Sequence, residues 1–218
     1  MNISKPFGEQ VDGFTIRVLN EREVRASAGI LFAVMFSAVA LIELKGNYLL
    51  LKYFISLFLV DFIFRVFVHP RFSPTLILGR MIVSNQNPEW VGAAQKKFAW
   101  MIGLALASVM FVLMVVINSR SIISSVICGM CVLFLFFESA FGICLGCLCY
   151  RWFYKERAQY CPGEICDTAS RQHSPKITAL QMAIVAGFII LTLVMIYFFN
   201  DLFSLPPRSL WDVGGFKR

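Results

Sequence analysis

The sequence predicts an all-α fold, a polytopic transmembrane helical bundle of five spans. Three observations predict it. The chain of 218 residues is 58% hydrophobic and 15% charged, where a soluble domain is about 45–50% apolar and about 25% charged. Its mean hydropathy is +0.72 and it carries 22 Phe, so there is too little polar material to cover a globule. The apolar residues also gather into several runs of about 20 residues, the length that crosses a bilayer core.

The first run begins near Ala26, after a head containing Glu9, Asp12, Glu21 and Glu23. A cleaved secretory leader has a shorter, basic, acid-free front, so this run reads as a permanent span. The net charge of +7 has no basic run with interleaved aromatics behind it in a polar segment. Lys and Arg here read as topology markers, and no nucleic-acid partner is expected.

Each element has its own signal. The first span, 24–44, follows Asn20-Glu21-Arg22-Glu23, close to a capping box, so its helix starts in water. The second, 47–68, follows a tight Lys45-Gly46-Asn47 turn. The third, 94–117, is expected to begin its helix early, because Asn87-Pro88-Glu89 supplies a cap, a first-turn proline and an acid at the dipole's positive end. Trp90, Lys96, Lys97 and Trp100 then read as interfacial anchors. The fourth run, 121–150, would reach about 45 Å as one helix, so its end should tilt or protrude from a core about 30 Å thick. The fifth, 177–200, is closed by Asn200-Asp201 and Pro206-Pro207. Ser73-Pro74 starts an apolar stretch too short to span, which lies in the interface or folds against the bundle.

The domain reading is a head at 1–23, a four-span core at 24–150 with an interfacial segment at 71–93, a Cys-containing loop at 151–176, the fifth span at 177–200 and a tail at 201–218. Fourteen of the 20 Lys and Arg fall on the side that holds the head and the Cys loop. That side is expected in the cytoplasm, with the C-terminus outside.

Seven cysteines are present, five of them between Cys144 and Cys166. Cys128 and Cys131, inside the fourth span, read as small packing residues. Rotation of about 100° per residue puts Cys144 and Cys147 on one helical face, with Cys131, Glu138, Gly142 and Cys149 roughly opposite. Cys144-Leu145-Gly146-Cys147 has C-x-x-C spacing, but near a helix C-terminus, where the dipole disfavours thiolate. Pro162-Gly163 favours a turn that brings Cys161 and Cys166 together. Three uses stay open for Cys144, Cys147, Cys161 and Cys166: packing, thiol exchange or persulfide transfer, and a four-thiolate zinc or iron–sulfur site. No cofactor is expected unless that metal alternative holds.

Asp61 and Arg65 lie one turn apart in the second span, and Glu138 lies in the fourth. An ionisable group in a span marks a functional candidate, while the bland reading is an Asp61–Arg65 pair within one helix and a protonated or hydrogen-bonded Glu138. Glu43, Lys45 and Lys52 lie near a membrane edge and can snorkel. His69 before Pro70 reads as interfacial, and His173 lacks metal-ligand spacing.

Three stretches, "HPRFSPTLILGR" (69–80), "GAAQKKFAWMIGL" (92–104) and "ESAFGICLGCLCY" (138–150), resemble a bacterial membrane-protein family known as domain of unknown function, family 4395. The resemblance implies a four-helix inner-membrane core, paired thiols at Cys144 and Cys147, and association with thioredoxin-like or sulfurtransferase partners. Glu138 stands where a small amide is expected, and the 160–166 loop and the fifth span extend beyond the common core. The function expected is thiol or sulfur relay through the cysteine cluster. The alternatives are a small permease for a sulfur anion drawn by Arg65 and Arg80, and a scaffold subunit with a Cys-ligated metal.

Overall fold

The computed structural model describes residues 7–11, 14–145 and 177–209. Among them are six α-helices: α1 (Glu21–Lys45), α2 (Leu49–Ile63), α3 (Pro74–Ile82), α4 (Ala93–Met110), α5 (Ile122–Phe136) and α6 (Ala179–Ser204). α2, α4 and α5 each continue into a π-helical turn, Phe64–Val68, Phe111–Val116 and Phe137–Phe141. Four helices are long and apolar enough to cross a membrane: Glu21–Lys45, Ala93–Val116, Ile122–Phe141 and Ala179–Ser204. The expected second span forms a helix over 49–68, but Lys52, Asp61 and Arg65 fall within any 18-residue stretch of it, where each of those four has a stretch with no more than two charges.

The ends of α1 form as the residues dictate. Asn20 Oδ1 accepts from Arg22 N at 3.2 Å while its Nδ2 donates to Glu23 Oε1 at 3.1 Å. At the far end Gly46 takes the left-handed conformation (φ +62°) that glycine tolerates best, and the chain reverses into α2.

The start of α4 departs from expectation. Residues 90–92 are strand rather than helix, because β2 (Trp90–Gly92) pairs antiparallel with β1 (Val18–Asn20). Glu89 is spent on that junction: its carbonyl accepts from Glu21 N at 2.6 Å and its carboxylate pairs with Arg22. The expected first-turn acid therefore serves the neighbouring helix, not its own.

α3 begins at Ser73-Pro74 as expected, with Ser73 Oγ accepting from Leu76 N at 3.3 Å. It folds against α1, and Gly79 allows the approach: a Cβ there would sit 2.5 Å from the Glu23 carbonyl oxygen.

The buried core lies among α1, α2 and α4, where Met35, Leu51, Phe54, Phe58, Ala107 and Met114 are packed. Phe58 and Phe62 stack with centroids 4.0 Å apart. α5 and α6 are peripheral and present large apolar side chains outward, among them Ile122, Leu133, Ile190 and Phe198.

The fourth helix is shorter than the 121–150 run. It stops at Phe141, because Gly142 adopts φ +66° and the chain turns. The facing argument built on one continuous helix fails beyond this point. Apolar composition runs on past Gly142, but the helix that begins at Ile122 does not.

Two further residues are placed differently than expected. Lys52 does not snorkel. It is 1% exposed, and its Nζ donates to the Leu205 carbonyl at 2.6 Å, closing the C-terminal end of α6. Trp100 is not an anchor at the rim but core, edge-on to Phe7 and under the Arg65 guanidinium.

Candidate functional site

Three buried charged groups sit at the β1–β2 end of the bundle. The first is Asp61 with Arg65, joined as predicted, Nε to Oδ2 at 2.7 Å. The rest of the carboxylate is also satisfied. Asp61 Oδ1 accepts from Ser73 Oγ at 2.7 Å and Thr75 N at 3.0 Å, and Oδ2 accepts from Thr75 Oγ1 at 2.7 Å. Arg65 Nη2 donates to Ser27 Oγ at 2.6 Å and to Thr75 Oγ1. Every strong acceptor position on Asp61 is filled, and the carboxylate lies at the amide end of α3, where the dipole favours it. This is a clamp that fastens α1, α2 and α3 together.

The second group is Arg80 on α3, whose Nη2 meets Glu23 Oε2 at 2.9 Å and Glu9 Oε1 at 3.1 Å. Burial opposes its charge, but Glu23 and then Glu9 outweigh that and raise its proton affinity above the usual arginine value. Arg65 and Arg80 are thus both engaged by carboxylates.

The third group was not anticipated as a unit. Lys96, at the start of α4, is 1% exposed and its Nζ lies 2.8 Å from Glu21 Oε2 and 3.1 Å from Glu21 Oε1. The same ammonium pairs with Glu138, whose side chain is 13% exposed. Two carboxylates from α1 and the end of α5 therefore converge on one lysine. Glu138 was a candidate from the sequence, whereas Lys96 read as a rim anchor and Glu21 as one of the acids of the head. A lysine in the first turn of a helix, against the dipole, was the available signal that it answered to something elsewhere.

Glu138 also lines a small, partly enclosed cavity of ≈ 80 Å³ between α1, α2, α4 and α5. Arg65, Trp100, Cys131 and Cys144 share its wall. The Gly142 turn is what brings Cys144 there, 6% exposed, onto the same cavity as Cys131 and Glu138. The sequence reading put Cys144 on the face opposite those two residues, and the helix break corrects it. The turn is packed from below: a Cβ on Gly142 would sit 3.2 Å from Arg25 Cδ, and Arg25 Nη2 donates to the Ala140 carbonyl at 3.3 Å.

Cys147, Cys149, Cys161 and Cys166, with the whole loop at 151–176 and His173, lie outside the described residues. Cys128 and Cys131 pack in α5 and form no disulfide. Among the described residues no group of three or more His, Cys, Asp or Glu is placed to hold a metal, while three of the four thiols considered for one fall outside that set. His69 is half-buried between α2 and α3, and its Nδ1 accepts from Arg71 N at 3.1 Å. Burial, then the nearby Arg71 and Arg17, lower its proton affinity below the usual value, against the opposing pull of Glu9.

Residues 19–155 match a family described as Domain of unknown function (DUF4395). The match takes in α1 to α5 and leaves α6 beyond it. No curated protein and no solved structure matches the chain.

Proposed function

The chain belongs to the DUF4395 family, a domain of unknown function, and we propose that it is a bacterial inner-membrane protein that carries sulfur at Cys144. The observation that carries this reading is the placement of Cys144, a buried thiol on the wall of a small cavity beside Glu138.

The bundle crosses the membrane five times. Helix 49–68 is twenty residues, about 30 Å at 1.5 Å per residue. It runs beside α6 with both ends tied: Lys52 to Leu205 at one end, and Gln181 Nε2 to the Arg71 carbonyl at 3.1 Å at the other. Its charges are paired or capping inside the protein, the arrangement that lets a charged helix reside in lipid. The β1–β2 end, with most of the Lys and Arg, faces the cytoplasm, and the C-terminus lies outside.

The cavity size selects the chemistry. A space of ≈ 80 Å³ admits a group of a few atoms, the size of a few waters, and not the loop of a second protein. A persulfide fits it. The Cys144 sulfur attacks the outer sulfur of a donor persulfide, forming a new S–S bond as the donor's S–S bond breaks. The donor leaves as a thiol carrying the proton Cys144 gave up, so one neutral sulfur atom moves with no net oxidation. The direct donor is the chain's own Cys147, Cys161 or Cys166, which a sulfurtransferase or thioredoxin-like partner loads with sulfur.

The test is persulfide-selective alkylation and mass mapping of the full chain in native membranes after exposure to a persulfide donor. One additional sulfur on Cys144, absent in Cys144→Ser, is the expected result. Cys144 recovered solely as an unmodified thiol would overturn the proposal.

A further inference from the structure

We propose that Glu21, Lys96 and Glu138 form a proton-binding site, in which two carboxylates share one proton across a single ammonium and exchange it through the cavity that Glu138 lines. The geometry sets two potential negative charges against one positive charge, all three groups nearly or fully buried.

A buried carboxylate that lacks its own counter-ion is costly in a low-dielectric site, and two carboxylates close to one site do not both ionise freely. The helix ends sharpen this. Glu138 lies in the terminal turn of its helix, where carbonyl ends point and negative charge is disfavoured, and Lys96 lies in the first turn of α4, where positive charge is disfavoured. Lys96 and Glu138 offset one another, and Glu21 is the additional charge.

One acceptor is left over. Glu21 Oε2 lies 2.8 Å from Lys96 Nζ, yet it receives no hydrogen bond of good geometry. We read that contact as charge attraction rather than a directed bond, because the same ammonium donates to Glu21 Oε1 and to Glu138. An unspent, buried carboxylate oxygen is the position a shared proton would occupy.

Among the described residues, the surrounding charges do not fill that position. On α1, Arg25 lies within electrostatic range of Glu21, but its hydrogen bond goes to the Ala140 carbonyl. From α2, Arg65 reaches the cavity already paired with Asp61. Cys131 and Cys144 are the other titratable groups on the cavity wall. The route out of the site is therefore Glu138 into the cavity, where a few waters can take up or give the proton. The π-helical turn that carries Glu138 fits this use, since such turns recur at functional positions.

Infrared spectroscopy of the full chain in lipid vesicles at neutral pH tests the site. Exposed glutamates are ionised there, so a carboxylic-acid carbonyl band that shifts in D2O reports a buried protonated acid. The expected band moves on ¹³C-Glu labelling and is lost or displaced in both Glu21→Gln and Glu138→Gln. It persists in Cys144→Ser, which separates this site from the sulfur reading. A wild-type chain with no such band, or one that ¹³C-Glu labelling leaves unmoved, would overturn the proposal, and neither result depends on a variant folding.

Discussion

Lys96 Nζ on α4 stands 2.8 Å from Glu21 Oε2 on α1, and the same ammonium holds Glu138 at the end of α5. One side chain therefore fastens three helices at the β1–β2 end. Lys96→Met strands the two carboxylates and is expected to cost about 3–5 kcal/mol, the range for breaking a buried pair from one side. Adding Glu21→Gln and Glu138→Gln to Lys96→Met removes the stranded charges and should recover most of the loss. Thermal unfolding of the single and triple variants in detergent measures the coupling. A triple variant no more stable than Lys96→Met would show that charge is not what binds these helices.

Asp61 is expected to behave as a clamp rather than as chemistry. Asp61→Ala leaves Arg65 buried without its carboxylate and takes three contacts from the start of α3, at Ser73 Oγ, Thr75 N and Thr75 Oγ1. The expected cost is about 3–5 kcal/mol. Because α3 loses its anchor, proteolysis should appear first at residues 69–73. Asp61→Ala with wild-type stability and no new cleavage would remove the clamp.

Gly79→Ala tests how closely α3 approaches α1. In an isolated helix the change is favourable by about 1 kcal/mol. Here the new Cβ would stand 2.5 Å from the Glu23 carbonyl oxygen and 3.0 Å from Ser27 N, both backbone atoms that cannot swing aside. The net effect is expected to be destabilising by about 1–3 kcal/mol. A rise in unfolding temperature would mean the two helices have room to part.

His69 supplies a pH dependence whose sign follows from burial. Its imidazole has a folded affinity for protons below the ordinary value of 6.5, with desolvation the largest cause. Well above 6.5 both folded and unfolded chains hold it neutral, and this residue contributes no slope. As pH falls through 6.5 the unfolded chain takes up a proton that the folded one resists, so stability drops. The drop levels off once the folded imidazole also titrates. The Nδ1 that accepts from Arg71 N needs the neutral ring, which ties the effect to a named bond. His69→Gln should flatten this part of a stability-against-pH curve, and an unchanged curve would assign the slope elsewhere.

What the sequence disclosed was local. The Asn20 cap, the Gly46 turn, the Ser73-Pro74 start and the Asp61–Arg65 pair each involve residues within a turn or two of one another, and all four formed. What it concealed was distant or conformational. Lys96 meets partners 75 and 42 residues away, so nothing beside it announced that it would be buried. The strands β1 and β2 have three residues each, too short for an alternating pattern to show. The end of α5 was hidden because composition stays apolar through Gly142, and hydropathy does not register a left-handed glycine. With that turn hidden, Cys144 was placed opposite Cys131 and Glu138, whereas all three line one cavity.

Gly142 is therefore the residue on which the site's shape depends. Its φ of +66° suits glycine and costs another L-residue roughly 1–2 kcal/mol. A Cβ would also press on Arg25, with Cδ and Nε both 3.2 Å away. Arg25 is a long side chain and can yield, so Gly142→Ala should fold, with the strain expressed locally rather than globally. The expected consequence is a displaced turn that lifts Cys144 from the cavity wall. A small thiol reagent should then label Cys144 faster than in wild type, while the unfolding temperature falls only modestly. Arg25→Ala in the same background removes the steric part and leaves the backbone part, so it should restore some of the protection. If Gly142→Ala leaves the labelling rate of Cys144 unchanged, the turn does not govern access to that thiol.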